Sequence, residues 1–189
     1  MKWLSRSWHV LLWLGLTGLT GFLTVCAAIY LYLAPTIPPV EVLKDVELQT
    51  PLRIYSSDAR LMSEIGEQRR TPLTFEEIPE QYVRALMAIE DHRFEEHIGV
   101  DPMRFGSAAL EFIRTGGAGA GGSTLTQQVA RSFFLNPDKT FTRKFTEIIL
   151  AFGMEQVLTK AEIFELYSNQ MYLGHRAYGI QAAAQVYYG

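Results

Sequence analysis

Residues 10–33 form an unbroken run of apolar and small polar side chains that carries no charge. Such a run is long enough to cross a bilayer as a tilted helix. Lys2 and Arg6 precede it and the first acidic residue after it is Glu41, so the N-terminus is predicted to be cytoplasmic. A cleaved signal peptide is the alternative, but the run is longer than a typical signal core and no small-x-small site follows it. We therefore predict a cytoplasmic N-terminus over residues 1–9, a single transmembrane anchor over residues 10–33 and the rest of the chain outside the cytoplasm.

The remainder of the 189-residue chain has room for one domain with a core. A formal net charge of -3 gives no electrostatic footprint for nucleic acid, so no nucleic-acid partner is expected. Cys26 is the only cysteine, which excludes an intrachain disulfide and a cysteine-based metal site. Residues 34–72 open with a proline-rich, stiff spacer, and the alternating pattern of residues 52–65 predicts a small β-hairpin.

A helix that ends at Glu90 is predicted from its capping and its periodicity. Residues 74–77 have the pattern of a capping box, and Val83, Leu86, Met87 and Glu90 lie on one face of the helix behind it. Glu90 thus continues a stripe that faces the core. Burial disfavours the charged form of a carboxyl group, which suits a general acid or base. The alternative is a carboxylate that emerges into water where the stripe ends.

Residues 102–114 predict a helix that begins with a proline at its first position. Its apolar side chains are typical of a core helix, which the sequence slightly favours, and also of a surface helix that dips into lipid. They are Met103, Phe105, Leu110, Phe112 and Ile113.

A glycine-rich stretch, residues 115–122, leads into a capping box formed by Thr124 and Gln127. A helix that begins after such a loop has free N–H groups and a positive dipole end, which suits a phosphate. A flexible linker with an ordinary helix cap is the alternative. The stretch is not a P-loop, because no Gly-Lys-Ser/Thr follows at the required spacing.

The next helix, from about residue 140 to residue 158, carries Arg143, Lys144 and Glu147 near its start. Arg143 and Glu147 are four residues apart, which is typical of a solvated ion pair. The alternative is a basic patch for phosphate groups, which Arg131 and Lys139 would join.

A third capping box, residues 159–162, opens a helix that carries Glu165 and, one turn later, Asn169. A surface position is the default for such a pair. A second carboxylate is, however, what glycosyl chemistry often needs.

Five motifs follow one another along these stretches, and together they resemble glycosyltransferase family 51, the peptidoglycan polymerases, above all its bifunctional class A members. Each motif is weak alone, but five in order at the family's spacing are specific. They are Glu90-Asp91-x-x-Phe94-x-x-His97-x-Gly99, Gly122-Ser123-Thr124-x-Thr126-Gln127-Gln128, Arg143-Lys144-x-x-Glu147, Lys160-x-x-Ile163-x-Glu165-x-Tyr167-x-Asn169 and Arg176-Ala177-Tyr178-Gly179-Ile180.

The resemblance implies a mainly α, lysozyme-like glycosyltransferase domain over residues 73–189, with a small N-terminal β-hairpin before it and one transmembrane helix ahead of both. Residues 100–122 would form a jaw that dips into the membrane. The family's domain continues for several more helices, so residues 73–189 are expected to lack its C-terminal part. In class A members a penicillin-binding transpeptidase follows.

The resemblance also implies the reaction, in which the 4-hydroxyl of lipid II attacks the anomeric carbon of a glycan linked to undecaprenyl pyrophosphate, with inversion. Glu90 resembles the general base, and Glu165 resembles the second carboxylate, which would orient the phosphates or hold a divalent metal, for which magnesium is suited. The substrate and pyrophosphate would be bound by the remaining motif residues and nearby cations. These are Asp91, Phe94, His97, Ser123, Thr124, Gln127, Gln128, Arg131, Lys139, Arg143, Lys144, Glu147, Asn169 and Arg176.

The family places such a chain in the bacterial inner membrane with its catalytic domain in the periplasm. Its partners would be lipid II, the growing lipid-linked glycan, the membrane and other cell-wall synthesis proteins. Ser132 stands where the family usually has Asn, and Thr146 stands where a basic residue is frequent. Two alternatives remain open: a muramidase-like lytic enzyme on the same fold, and an inactive membrane scaffold that binds lipid II.

Overall fold

The computed structural model describes residues 2–66, 68–116, 121–138 and 140–189, and for residues 2–8 it describes the backbone only. The chain forms two compact units, Met1–Pro38 and Pro39–Gly189. In chain order the elements of the described residues are α1 (Lys2–Leu33), β1 (Leu52–Tyr55), β2 (Leu61–Ile65), β3 (Arg69–Arg70), α2 (Glu80–Glu90), α3 (Pro102–Thr115), α4 (Leu125–Phe134), α5 (Phe141–Val157), α6 (Lys160–Gln170), β4 (Ala177–Tyr178) and α7 (Ile180–Tyr188).

The first unit is dominated by α1, which confirms the predicted apolar helix. The segment His9–Thr36 is long and apolar enough to cross a membrane by length and composition, with a mean hydropathy of 1.9. Thr17, Thr20 and Thr24 each donate their hydroxyl to a carbonyl four residues earlier. The helix therefore satisfies these hydroxyls itself, as a lipid environment requires.

In the second unit, α4, α5 and α6 supply most of the fully buried apolar side chains. These include Leu125, Val129, Leu150, Met154, Ile163 and Phe164. Phe94, from the segment after α2, is 1% exposed and lies with its ring centroid 6.3 Å from that of Phe164. The loop that follows Glu90 is thus anchored in the same core as the three helices.

The predicted hairpin is confirmed, because β1 and β2 pair antiparallel with Leu52 opposite Ile65. A second pairing, in which β3 runs parallel to β4, was not predicted. Arg70 of β3 is buried, and desolvation lowers the pKa of its guanidinium. It donates to Gln170 Oε1 at 2.9 Å and lies over the ring of Tyr178, so it ties β3 to α6 and β4.

The three predicted capping boxes all form, and the boxes at residues 124–127 and 159–162 start α4 and α6 as expected. The box at residues 74–77 instead closes a single 3₁₀ turn, and α2 begins only at Glu80. The predicted start was wrong because Pro79 has no N–H to continue the helical ladder. Val83, Leu86, Met87 and Glu90 are half-buried, so the predicted stripe lies at the edge of the core.

Helix α3 begins at the cap formed by Asp101 and ends at Gly116, whose φ of 69° is left-handed. The preference for a core helix was wrong, because its large apolar side chains are exposed. Phe105 is 51% exposed, Phe112 60% and Ile113 77%. An amphipathic pattern alone does not distinguish a face that meets a protein core from one that meets lipid.

Candidate active site

Glu90 is the last residue of α2, and it is held through both its side chain and its backbone. Its Oε2 accepts a hydrogen bond from Gln128 Nε2 of α4 at 3.0 Å. Its backbone carbonyl accepts from the guanidinium of Arg104 in α3, which also donates to the carbonyl of Gly121 at 3.1 Å. A half-buried carboxylate in this position has its orientation set by two other helices.

Asp91 and His97 form a buried pair directly behind Glu90. Asp91 Oδ2 lies 2.9 Å from His97 Nε2 and accepts from the backbone N–H of Leu125 at 2.9 Å. His97 Nδ1 accepts from the N–H of Gly99, which assigns the ring proton to Nε2. Both side chains were predicted to bind substrate, but in the structure they are buried and position the loop instead.

Thr124 and Gln127 were predicted to bind pyrophosphate, but the structure buries both. Thr124 Oγ1 donates to the carbonyl of Gly99 at 2.6 Å and accepts from the N–H of Gln127. Gln127 Oε1 accepts from the N–H of Thr124 at 3.2 Å. The first turn of α4 is therefore not open to a phosphate at these groups, because protein atoms already satisfy them.

Lys144 contacts residues at the start of α4. Its Nζ donates to Ser123 Oγ at 2.7 Å, to Gln127 Oε1 at 3.2 Å and to Glu147 Oε1 at 2.5 Å. Glu147 was predicted to contact substrate, but its side chain is fully buried while that of Lys144 is 34% exposed. Lys144 and Ser123 can therefore reach a ligand, and Glu147 supports the lysine.

Arg143 does not form the solvated ion pair with Glu147 that its spacing suggested. Its guanidinium donates to the carbonyl of Pro137 at 3.2 Å, and its Nε is buried without a hydrogen-bond partner. Arg143 lies in the first turn of α5, and this bond holds its side chain against the loop between α4 and α5. Lys139, the other predicted cation of this loop, lies outside the described residues.

Tyr167 of α6 is buried, and the charges of Glu90 and Arg131 both influence its hydroxyl. Burial raises the pKa of the Tyr167 hydroxyl well above its ordinary value, and the charge of Glu90 raises it further, whereas Arg131 opposes the rise. Arg131 is half-buried in the last turn of α4.

Glu165 is half-buried and Asn169 is buried. Glu165 Oε2 accepts from the backbone N–H of Phe75 at 2.9 Å. Asn169 is 3% exposed. Its Oδ1 accepts from the backbone N–H of Leu73 at 2.9 Å, and its Nδ2 donates to the backbone carbonyl of Leu73 at 2.7 Å. Both side chains hold residues 73–75 against α6, so Asn169 has no surface to offer a substrate.

The described residues do not form a metal cage. Within the described ranges, no group of three His, Cys, Asp or Glu side chains could hold a metal ion. Glu165, the predicted ligand, has one oxygen engaged by Phe75. A metal held here would take most of its ligands from elsewhere.

Two further residues predicted to bind substrate are Arg176 and Phe94. Arg176, at a left-handed φ of 63°, donates its guanidinium to the carbonyl of Gly66 near the hairpin. Phe94 is buried in the core and was also predicted to bind substrate.

Three residues important to the site were not among those predicted from the sequence. Arg104 bonds the carbonyl of Glu90, the charge of Glu90 raises the pKa of Tyr167, and Lys160 bonds the carbonyl of His97. Lys160 and Tyr167 stand within the fourth sequence motif, which was the available signal. Arg104 carries no comparable signal.

Comparisons with known proteins identify the family of the chain. The family described as Transglycosylase matches residues 58–189. The chain belongs to the transglycosylase family. Penicillin-binding protein 1A of Pseudomonas aeruginosa is 50% identical over 189 residues, which is 100% of this chain and 22% of that protein. Penicillin-binding protein 1A of Escherichia coli K12 is 53% identical over 161 residues, 85% of the chain and 19% of that protein.

Penicillin-binding protein 1A of Vibrio cholerae is 46% identical over 176 residues, 93% of this chain and 20% of that protein. The chain thus spans about a fifth of the length of these curated relatives. The transglycosylase domain contains Glu90, Gln128, Lys144 and Glu165, so every part of the candidate site lies within the matched region.

Proposed function

We propose that this transglycosylase chain is a peptidoglycan glycosyltransferase that polymerises lipid II into glycan strands. The observation that carries the proposal is the fixed, half-buried carboxylate of Glu90, which α4 orients through Gln128 at 3.0 Å. In a transglycosylase domain this is the group best placed to take a proton from an attacking hydroxyl.

In the proposed reaction the acceptor 4-hydroxyl gives its proton to Glu90 while its oxygen forms a bond to the anomeric carbon of the donor. The bond from that carbon to the pyrophosphate oxygen breaks, and undecaprenyl pyrophosphate leaves with the electron pair. Attack from the opposite face inverts the configuration. Only one carboxylate is needed, because pyrophosphate leaves as an anion and requires charge stabilisation in place of a proton.

The leaving pyrophosphate would be stabilised by Arg131, Arg143, Lys144 and the hydroxyl of Ser123. Lys144 would exchange a protein acceptor for a phosphate oxygen, since all three of its donors are engaged in the structure. Lys139 belongs to the same proposal but lies outside the described residues.

The two departures from the family pattern contribute no further donors to this group. Ser132 donates its hydroxyl to the carbonyl of Val129, and Thr146 donates to that of Thr142. Each hydroxyl is thus engaged by its own helix. We expect slower polymerisation from fewer pyrophosphate contacts, with the same chemistry.

Magnesium is part of the proposal only as an ion carried by the substrate. One or two carboxylates plus substrate phosphates are a common way for proteins to bind it. Glu165 would be the single protein carboxylate, and no catalytic step depends on the ion.

The membrane is the proposed location of both substrates. The anchor predicted over residues 10–33 would hold the domain on the periplasmic face of the inner membrane, with the N-terminus in the cytoplasm. The exposed apolar side chains of α3 would contact the lipid that carries the donor and the acceptor. Other cell-wall synthesis proteins remain proposed partners.

The test is polymerisation of lipid II by the chain in detergent, read as a glycan ladder on a gel. Glu90→Gln should lower the rate by about a hundredfold or more, as expected for loss of a general base. Glu80→Gln, an exposed carboxylate on the same helix, is the matched control and should leave the ladder unchanged.

Each alternative predicts a different result. Release of soluble sugar fragments from finished peptidoglycan would favour a muramidase-like enzyme. Tight lipid II binding without polymer would favour an inactive scaffold. Either result, or a ladder that persists in Glu90→Gln, would overturn the proposal.

A further inference from the structure

Lys160 is the first residue of α6, a position at which a positive charge is unfavourable. The N-terminal end of a helix carries the positive end of its dipole. The ammonium is also largely withdrawn from water, since the side chain of Lys160 is 21% exposed. A lysine in such a position requires specific compensation from its neighbours.

That compensation comes from three contacts. Lys160 Nζ donates to Glu155 Oε1 of α5 at 2.7 Å and to the backbone carbonyl of His97 at 2.6 Å. It also lies 4.5 Å from the centroid of the Phe94 ring, within the range of a cation–π interaction. Two of the three contacts are therefore with the loop of residues 91–99, which follows Glu90.

The same junction reaches the first turn of α4. Thr126 donates its hydroxyl to Glu155 Oε1 at 2.6 Å, so Glu155 receives hydrogen bonds from both Thr126 and Lys160. Thr126 stands two residues before Gln128, the residue that orients Glu90. The ion pair of Glu155 and Lys160 thus holds both the loop after Glu90 and helix α4, which contacts the Glu90 side chain.

The loop has little freedom once Lys160 is engaged. Gly99 at its far end has a φ of 95°, and a Cβ there would lie 2.7 Å from the carbonyl oxygen of Ala151. The Asp91–His97 pair closes the loop from within. Lys160 holds the same loop from outside, at the carbonyl of His97.

We propose that Lys160 is a positioning residue, which acts through the loop of residues 91–99 to hold Glu90 in its reactive orientation. It touches no reacting atom. Loss of the Lys160–His97 contact should let the loop and Glu90 move, and it should slow the chemical step more than it weakens substrate binding. The effect on catalysis rests on the proposed function, whereas the effect on the loop does not.

The single variant Lys160→Met would leave the charge of Glu155 buried and unpaired, which is itself strongly destabilising. The decisive variant is therefore the double change Lys160→Met with Glu155→Gln, which removes both charges and keeps an acceptor for Thr126. Its matched control is Arg84→Met with Glu80→Gln, which removes an exposed ion pair from α2.

Two measurements are made on each double variant in detergent. For the Lys160 variant we expect kcat of lipid II polymerisation to fall by about tenfold or more with KM within about twofold, as for an interaction made only in the transition state. We also expect the amides of Phe94, Glu96 and Gly99 to exchange hydrogen about tenfold faster, while those of β1 and β2 are unchanged. The control should match the unmutated chain in both measurements.

Unchanged amide exchange in the loop would overturn the proposal, as would faster exchange with kcat unaffected. A parallel rise in KM and fall in kcat would show a general loss of structure and would also overturn it. If the unmutated chain makes no polymer, the proposed function fails, and the amide exchange alone decides whether Lys160 holds the loop.

Discussion

Gln128 donates its side-chain amide to Oε2 of Glu90 at 3.0 Å, across 38 residues of sequence. The two residues lie on different helices, and the start of the helix that carries Gln128 is fixed by the buried cap of Thr124. The carboxylate is thereby oriented by a side chain whose own backbone is anchored in the core.

Gln128→Ala should slow lipid II polymerisation by about tenfold to a hundredfold. A hydrogen bond to a charged group contributes about 1.5–3 kcal/mol, and its loss leaves Glu90 free to rotate. The rate is measured from the glycan ladder under saturating lipid II. Gln81→Ala, at an exposed position on α2, is the control and should be neutral. An unaltered rate in Gln128→Ala would show that Glu90 needs no such partner.

Thr124→Ala should destabilise the domain more than Thr159→Ala. Both are helix caps, for which alanine costs about 1 kcal/mol. Thr124 Oγ1 also donates to the buried carbonyl of Gly99 at 2.6 Å, whereas Thr159 is exposed and makes no such contact outside its own cap. An unsatisfied buried carbonyl adds about 1–3 kcal/mol.

Urea unfolding of the two variants, followed by far-UV circular dichroism, measures this difference. Thr124→Ser, which keeps the hydroxyl, should recover most of the stability lost in Thr124→Ala. Equal losses in the two alanine variants would contradict the role of the Gly99 contact.

The local features of this fold could be predicted from the sequence because their signals lie within a few residues of one another. The three capping boxes and the hairpin of β1 and β2 are of this kind, and all of them form. The apolar helix over residues 10–33 could also be predicted, since length and composition alone define it.

The pairings that build the site could not be predicted, because their partners are far apart in sequence. Asn169 bonds Leu73 across 96 residues, and Lys160 bonds His97 across 63. Spacing suggested that Glu147 pairs with Arg143, but the structure pairs it with Lys144. On a helix surface both i+3 and i+4 neighbours are in reach, so burial decides between them.

Glu165→Gln and Glu165→Ala should separate the structural role of this residue from a role of its charge. Glutamine can still accept a hydrogen bond from the N–H of Phe75, whereas alanine leaves that N–H without a partner. We expect Glu165→Ala to lower the unfolding temperature by several degrees, since about 1 kcal/mol corresponds to about 2–8 °C in domains of this size range. Glu165→Gln should unfold close to the unmutated chain.

The rate of lipid II polymerisation by the stable Glu165→Gln variant then tests whether the charge of Glu165 contributes to catalysis. A rate that falls about tenfold or more without loss of stability would assign the charge a role at the phosphates. A rate equal to that of the unmutated chain would limit Glu165 to anchoring the segment at Phe75. Asn169→Leu, which breaks the neighbouring anchor at Leu73, is the structural control.

The pH dependence of stability should carry a contribution from Asp101, the cap of α3. Burial acts to raise the pKa of its carboxyl, but the N–H groups of Met103 and Arg104 and the charge of Arg93 outweigh it, so the pKa lies below its ordinary value. A carboxyl whose pKa is lowered by folding adds stability above its unfolded pKa of about 3.9, and that stability is lost as the pH falls through the folded value.

Asp101→Asn isolates this contribution, because asparagine is also a good helix cap but does not titrate. We expect the unmutated chain to be more stable than Asp101→Asn at pH 7 and the difference to shrink steadily below about pH 4. Urea midpoints of both proteins between pH 7 and pH 3 measure it, and the other carboxyl groups cancel in the comparison. A difference that stays constant over this range would mean that the Asp101 charge does not stabilise the start of α3.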